Sequence, residues 1–448
     1  MTKNNHQTFK RGQLEIDPAL ILRHKYTMNC VKKMSPRPDV YIVDLPKKTG
    51  DIFLDIVLKS GYAEEGEKEF GTGHLLEHYL ISSLWDDMRR NNIEANAEIS
   101  LEMTKHYVKI RNIKELKNLK LFLKNIFKPD FSNENIFKKE KKAITNELAV
   151  KIASFHERID AAAEKERFKG KCRYARDRKT QLKSILNKSL KDLEKYHGEF
   201  YTENNVFFLV SGYKISKKVT RQIVEGIKNI DLHKKPADKK TCDFSCAYSN
   251  FKIKKIKEKI SKQILLALSF PGLTVKNSYK ERFLSRIIGR LLSATQEGIM
   301  AEVRDLGIYD VRYEEATLKK AGYIGFGTAL EKKQLDGFLK LFSGKIKELK
   351  IKGVEERKLK KIVADMKKSS RRSFENNNER AEWVAYDLAV YGRVITPTDD
   401  WRILDSVKNE DVKKWARKIL DRKKMNVIIV GDKIKNISNQ KIRGALFT

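Results

Sequence analysis

Apolar residues recur at helical spacing shortly after residue 70, where Leu76, Tyr79, Leu80 and Leu84 fall on one stripe. The other face of the same helix carries His74, Glu77 and His78. At 100° per residue the two histidines stand about 40° apart, with Glu77 about 60° to the other side of His74. Such a helix buries its apolar side and directs two imidazoles and a carboxylate into one site. Farther on, the run SNENIFKKEKKAITNELAVKIASFHERIDAAAEKERF contains neither Gly nor Pro and is read as one long helix capped by Ser132. Within it Glu140 and Glu147 stand seven residues apart, nearly two turns, so both carboxylates share a stripe with Ile144 beside them.

The same alternation of helix and strand closes both halves of the chain. Asp192, Tyr196 and Gly212 are followed 219 residues later by Asp411, Trp415 and Gly431, in patterns that end on NVFFLVSGYKI and NVIIVGDKI. The constant offset indicates duplication of one architecture rather than a solenoid. It predicts a first domain over 1–233, a linker over 234–250, where Pro236 and a polar cluster interrupt the periodicity, and a second domain over 251–448. Each half reads as strand, helix, strand, long helices, then helix and strand. The expected class is therefore α+β, with helices packed on a mainly antiparallel sheet. Tyr196, Phe207, Phe208 and Trp415 are assigned to the cores. Shifting His74 and His78 by the same offset lands on Ser293 and Glu297, and all eight histidines precede residue 234, so only the first half can build a histidine site.

Composition adds limits to this picture. A chain of 448 residues with 40% apolar and 9% aromatic residues can bury the cores of two domains despite its high charge. No run of 18 apolar residues occurs, and the N-terminal stretch lacks an apolar h-region with a small-residue cleavage site, so neither membrane insertion nor export is indicated and a cytoplasmic location is expected. Cys30, Cys172, Cys242 and Cys246 show no disulfide framework. The net charge of +35 comes from 94 basic and 59 acidic residues interleaved along many helices, as in EERKLKKIVADMKKSSRR, and not from one recognition element. No specific nucleic-acid partner is expected, and the charge is read as solvated helix faces. Gly71 and Gly73 lie beside the histidines without the GKS or GKT ending of a phosphate loop, and are read as allowing a tight turn into the helix.

Two histidines four residues apart suit a metal, but zinc sites that perform chemistry normally use three protein ligands and keep one position for water. Glu140 and Glu147 are candidates for the third. The HxxEH of His74 to His78, followed about seventy residues later by a glutamate, resembles the signature of the inverzincin metallopeptidases, the pitrilysin and mitochondrial processing peptidase-like family. That resemblance implies one Zn²⁺ per chain held by His74, His78 and Glu147, with Glu77 as general base. Glu140, seven residues before the third ligand, would join the catalytic set, either orienting a ligand histidine or standing in as a second base. The segment NAEISLEMTKHYV, with Asn96, Ala97, Thr104 and Tyr107, resembles the family's edge strand, which implies that Asn96, Ala97, Glu98 and Ile99 pair with an extended peptide. An ordinary sheet strand is the competing reading. In the second half, VRDLGIYDVRY is similar to a family stretch whose arginine and tyrosine hold the substrate near the scissile carbonyl. Arg304 and Tyr309 take those places, with Tyr313 as a substitute because the spacing is two residues short.

What the resemblance implies as a whole is a zinc-dependent endopeptidase of the half-length type. Two homologous domains would form half of a clamshell, closed by pairing with an identical or homologous chain around unfolded peptides or small proteins. The alternative is a non-catalytic homologue serving as a partner or scaffold subunit.

Overall fold

The computed structural model describes residues 31–36, 38–111, 115–169, 172–233, 244–258, 263–432 and 434–447. Two sheets organise them. The first is built from β1 (Val31–Pro36), β2 (Asp39–Asp44), β3 (Ile52–Leu58), β4 (Glu94–Ile99), β5 (Thr104–Ile110) and, after the two-residue β6 (Phe168–Lys169), β7 (Val206–Gly212). Its spatial order is β1-β2-β7-β3-β5-β4. After β8 (Ala247–Tyr248), which pairs only with β6, the second sheet contains β9 (Lys252–Lys257), β10 (Gln263–Pro271), β11 (Arg312–Thr317), β12 (Gly322–Glu331) and β13 (Asn426–Gly431), in the order β11-β12-β10-β13-β9. Read from the other edge, this is the order of the first sheet without β1. In each sheet a single parallel pair, β2 with β7 and β9 with β13, joins otherwise antiparallel strands.

The 219-residue offset is visible in the local chemistry. Helix Leu190–Phe200 opens with Asp192 accepting from the backbone of Ser189 at 2.8 Å, and helix Asn409–Ile419 opens with Asp411 accepting from the backbone of Lys408 at 2.9 Å. Tyr196 and Trp415 are buried on these helices, which lead into β7 and β13. Every residue of β7 and β13 is buried, which explains their continuous apolar runs: both faces of each sheet are covered. One face of the first sheet packs on helices from its own half through Leu54, Ile56, Leu76, Phe122, Ile144 and Phe208. Its other face, with Tyr41, Val57, Phe207 and Leu209, is covered by Val384, Ala385 and Leu388 from the second half. The second sheet receives the reciprocal cover, with Phe155, Ile159 and Ala163 of the first half packed against Leu265, Ile428 and Val430.

This exchange breaks the long helix expected after Ser132. The chain instead forms helices Glu134–Ala153 and Phe155–Arg167, separated at Ser154, whose ψ of 132° is extended. The break redirects Phe155, Ile159 and Ala163 onto the second sheet, a requirement set by residues more than a hundred positions away. The cap is Asn133, whose side chain accepts from the amide of Ile136 at 3.1 Å, and not Ser132. The segment NAEISLEMTKHYV is likewise two strands and not one. β4 and β5 form a hairpin turning at residues 100–103, with β4 at the sheet edge.

The expectation of no disulfide framework is corrected at Cys172 and Cys246, which form a disulfide across a sequence separation of 74. The chain returns there because Phe244 and Tyr248 pack with Phe168, Tyr174 and Ala63 in one small cluster. Residues 234–243, most of the expected linker including Cys242, lie outside the described residues, as do Cys30 and the N-terminal stretch. Among the described residues no helix is long and apolar enough to cross a membrane.

Candidate metal centre

Helix Thr72–Ser83 carries the HxxEH residues and is held tightly at its start. Gly71 adopts φ of 93°, a left-handed conformation that strains residues with a Cβ. A Cβ on Gly73 would lie 2.6 Å from the Tyr196 hydroxyl and 2.8 Å from Ile99 Cδ1, so glycine permits the helix to approach the end of β4. The carboxylate of fully buried Glu65 accepts from the amides of Gly71 at 2.7 Å and Gly73 at 2.8 Å, satisfying donors exposed at the helix start. The loop bearing Glu65 is gripped in turn by two guanidinium groups. Arg173 donates to the carbonyls of Ala63 and Glu64, and Arg176 to those of Tyr62, Glu65 and Gly66. Leu76, Tyr79, Leu80 and Leu84 are buried as their spacing predicts.

On the other face His74 and His78 meet Glu147, which projects from helix Glu134–Ala153. One ligand atom from each of the three lies within 4.8 Å of the others. Glu147 Oε2 is 3.6 Å from Nε2 of His74 and 3.7 Å from Nε2 of His78. Buried Glu140 faces Nδ1 of His78 at 3.2 Å, which leaves Nε2 free on the side of the cluster. Lys151, one turn beyond Glu147, donates to its Oε1 at 2.5 Å.

The charges in this pocket are set mainly by burial. His74, 7% exposed, has its pKa lowered to about 4 by desolvation and then by His78, so its imidazole is the neutral species that ligates a cation. Glu77, 8% exposed, is raised to about 8 by desolvation and by the carboxylates of Glu147 and Glu98. Burial also acts upward on Glu147, but the hydrogen bond from Lys151 and the charge of its ammonium group oppose it, and the carboxyl is held below the usual range. Two imidazoles and one carboxylate converging in this way fit a zinc ion, whose tetrahedral sites take these donors and leave a fourth position for water. A hard, oxygen-preferring cation would suit the set less well.

The edge strand β4 runs beside the site. Asn96 and Glu98 are exposed, Ala97 is buried and Ile99 is half-buried. Asn96 Oδ1 accepts from the amide of Ala97 at 2.9 Å, and Glu98 pairs at 3.0 Å with buried Lys105, which also binds Glu382 of the second half. Thr104 donates to the Ser60 carbonyl and fixes β5 against the loop leading to the HxxEH helix. His106 is buried with Nε2 2.7 Å from the Tyr201 hydroxyl.

Arg304 and Tyr309 are not brought into the cluster. They stack on each other, with the guanidinium carbon 4.2 Å from the ring centroid, and Tyr309 is 75% exposed. Among the described residues no hydrogen bond or ion pair joins either to His74, Glu77, His78 or Glu147. Tyr313 is no substitute, since its hydroxyl donates to Glu315 at 2.7 Å and its ring packs against the second-half core and Gly289. Sequence reasoning missed Glu65, Arg173, Arg176 and Lys151. The first three act through a loop that carries no periodic signal, whereas Lys151 was readable as an i,i+4 partner of Glu147.

The candidate ligand helix and its distant glutamate lie in the first half of a duplicated α+β chain. Residues 188–366 match the family model described as the peptidase M16 inactive domain. His74, Glu77, His78 and Glu147 all precede it. The chain is 26% identical over 209 residues to the zinc protease PqqE of Helicobacter pylori, a match spanning 43% of this chain and 46% of the relative, less than half its length. An M16-like peptidase from Alicyclobacillus acidocaldarius has the same fold, with a TM-score of 0.77 at 14% identity over 92% of this chain and 100% of that one. The periplasmic protease PqqL from Escherichia coli also reaches 0.77, at 12% identity, over 93% of this chain but 49% of that longer one.

Proposed function

We propose that this chain is a zinc-dependent endopeptidase that hydrolyses unfolded peptides or small proteins. The observation that carries the reading is the convergence of His74, His78 and Glu147 with Glu77 buried beside them. Zinc bound by those three groups would lower the pKa of a bound water towards about 7. With a cation's charge beside it favouring its ionised form, Glu77 would take a proton from the attacking water and return it to the leaving amine, the work of a single general base and acid. Glu140 holds Nδ1 of His78 so that Nε2 faces the cluster. The exposed edge of β4 pairs with an extended substrate through main-chain hydrogen bonds, which hold a peptide without reading much of its sequence.

The exposed Arg304 and Tyr309 support pairing with a second chain, identical or homologous, that closes the chamber. So does a fold that fills about half of the longer Escherichia coli protein. The disulfide between Cys172 and Cys246 favours an oxidising compartment over the cytoplasm expected from the sequence. A second reading, a non-catalytic partner subunit, has one specific support, the match of residues 188–366 to a domain described as inactive. That match leaves the ligand-bearing residues outside it, and a scaffold has no need of three ligands and a base. Zinc analysis of purified protein with hydrolysis of a mixed peptide pool decides between them. Near-stoichiometric zinc and chelator-sensitive cleavage support the peptidase. Metal-free protein that cleaves nothing, with zinc and any homologous partner chain supplied, supports the scaffold.

A further inference from the structure

We propose that Lys151 is a positioning residue that reserves Oε1 of Glu147, so that this carboxylate offers a metal one oxygen and not two. The inference rests on the metal-centre reading above and extends it to a residue with no assigned role. Lys151 lies one helical turn after Glu147, on the same face, with Nζ 2.5 Å from Oε1. The other oxygen, Oε2, is the one turned towards Nε2 of both histidines, at 3.6 and 3.7 Å. The two oxygens therefore have separate partners.

The backbone of Lys151 is itself fixed. Its carbonyl accepts from the amide of Ser154, 3.0 Å away, where the helix ends and the chain turns onto the second sheet. An ammonium group there also sits at the negative end of the helix dipole. Its side chain is 37% exposed and that of Glu147 33%, so the pair borders the open side of the site. An exposed i,i+4 ion pair by itself contributes little to stability. This one falls on a carboxylate already committed to the cluster, where its consequence is coordination geometry. With Oε1 occupied, two imidazoles and a single oxygen leave a fourth position for water. With Oε1 free, the carboxylate can chelate and raise the coordination number. The ammonium charge also opposes the cation, trading retention of the metal for an open position.

Cobalt(II) tests this, because its visible absorption reports coordination number without any turnover. Metal-free wild type, Lys151→Met and Lys151→Arg are each loaded with cobalt(II), and affinity is measured by competition with a chelator. The wild type and Lys151→Arg are expected to show the stronger absorption of a four-coordinate site. Lys151→Met is expected to lose about half of that intensity or more per bound ion and to hold the metal on the order of tenfold more tightly, as a nearby positive charge is removed. Equal spectra and affinities for wild type and Lys151→Met, or weaker binding by the variant, overturn the proposal for Lys151 while leaving the metal centre intact. Wild type that takes up no cobalt overturns both. Melting of the metal-free proteins, expected to coincide, separates an effect on the site from one on folding.

Discussion

His78 shows how a single side chain divides its two nitrogens, Nδ1 facing Glu140 and Nε2 facing Glu147. Replacing Glu140 by Gln keeps the shape but removes the charge that orients the ring, and zinc affinity is expected to fall roughly 10- to 100-fold by chelator competition. At Gly73 the space is filled by Tyr196, Ile99 and Glu65. Gly73→Ala is therefore expected to cost about 1–3 kcal/mol in urea unfolding, with the larger loss in zinc affinity because the first ligand is the next residue. A pH effect belongs to the second half, where buried Asp387 and Asp400 are both raised to about 7, chiefly by desolvation. Folded protein then binds more protons than unfolded protein between the ordinary aspartate value, near 4, and about 7. That contribution to stability is complete below the window and is lost as pH rises through it. Asp400→Asn is expected to flatten this decline in melting temperature, and an unchanged slope counts against the assignment.

Between elements, the disulfide and the two arginines after Cys172 act together. Cys172 is tied to Cys246, while Arg173 and Arg176 grip residues 62–66, and Glu65 there caps the HxxEH helix. Cys246→Ser is expected to lower stability by about 2–4 kcal/mol in chemical unfolding. It should also increase amide exchange in residues 62–73 more than in β13. None of this strap was legible in the sequence, since Cys172 and Cys246 share no spacing rule and their encounter depends on the packing of Phe168, Phe244 and Tyr248. The HxxEH helix was legible because its apolar stripe and its ligand face are both periodic. The break at Ser154 was not, because the composition on either side suits a helix and the cause is a sheet from the other half. The same limit turned one expected strand into the β4–β5 hairpin, since residues 100–103 contain no Gly, Pro or Asn to mark the turn.

Across the whole molecule, duplication supplies two sheets of one topology, and each half covers a face of the other. The 219-residue offset was readable because Asp192 and Asp411 cap equivalent helices and the strands after them are apolar on both faces. All histidines lie in one half, so the candidate ligands belong to that half, while Arg304 and Tyr309 of the other face outward. If a second chain brings that surface to the chamber, Tyr309→Phe should reduce cleavage without altering zinc content, and mixing with a site-dead chain should show whether the tyrosine acts across chains. The central claim is that Glu77 moves the proton at a zinc site formed by His74, His78 and Glu147. Its most direct measurement compares zinc content and peptide cleavage of wild type and Glu77→Gln under identical loading. The account predicts equal zinc in the two proteins and a loss of cleavage of about 100-fold or more in the variant; equal zinc with undiminished cleavage would contradict it.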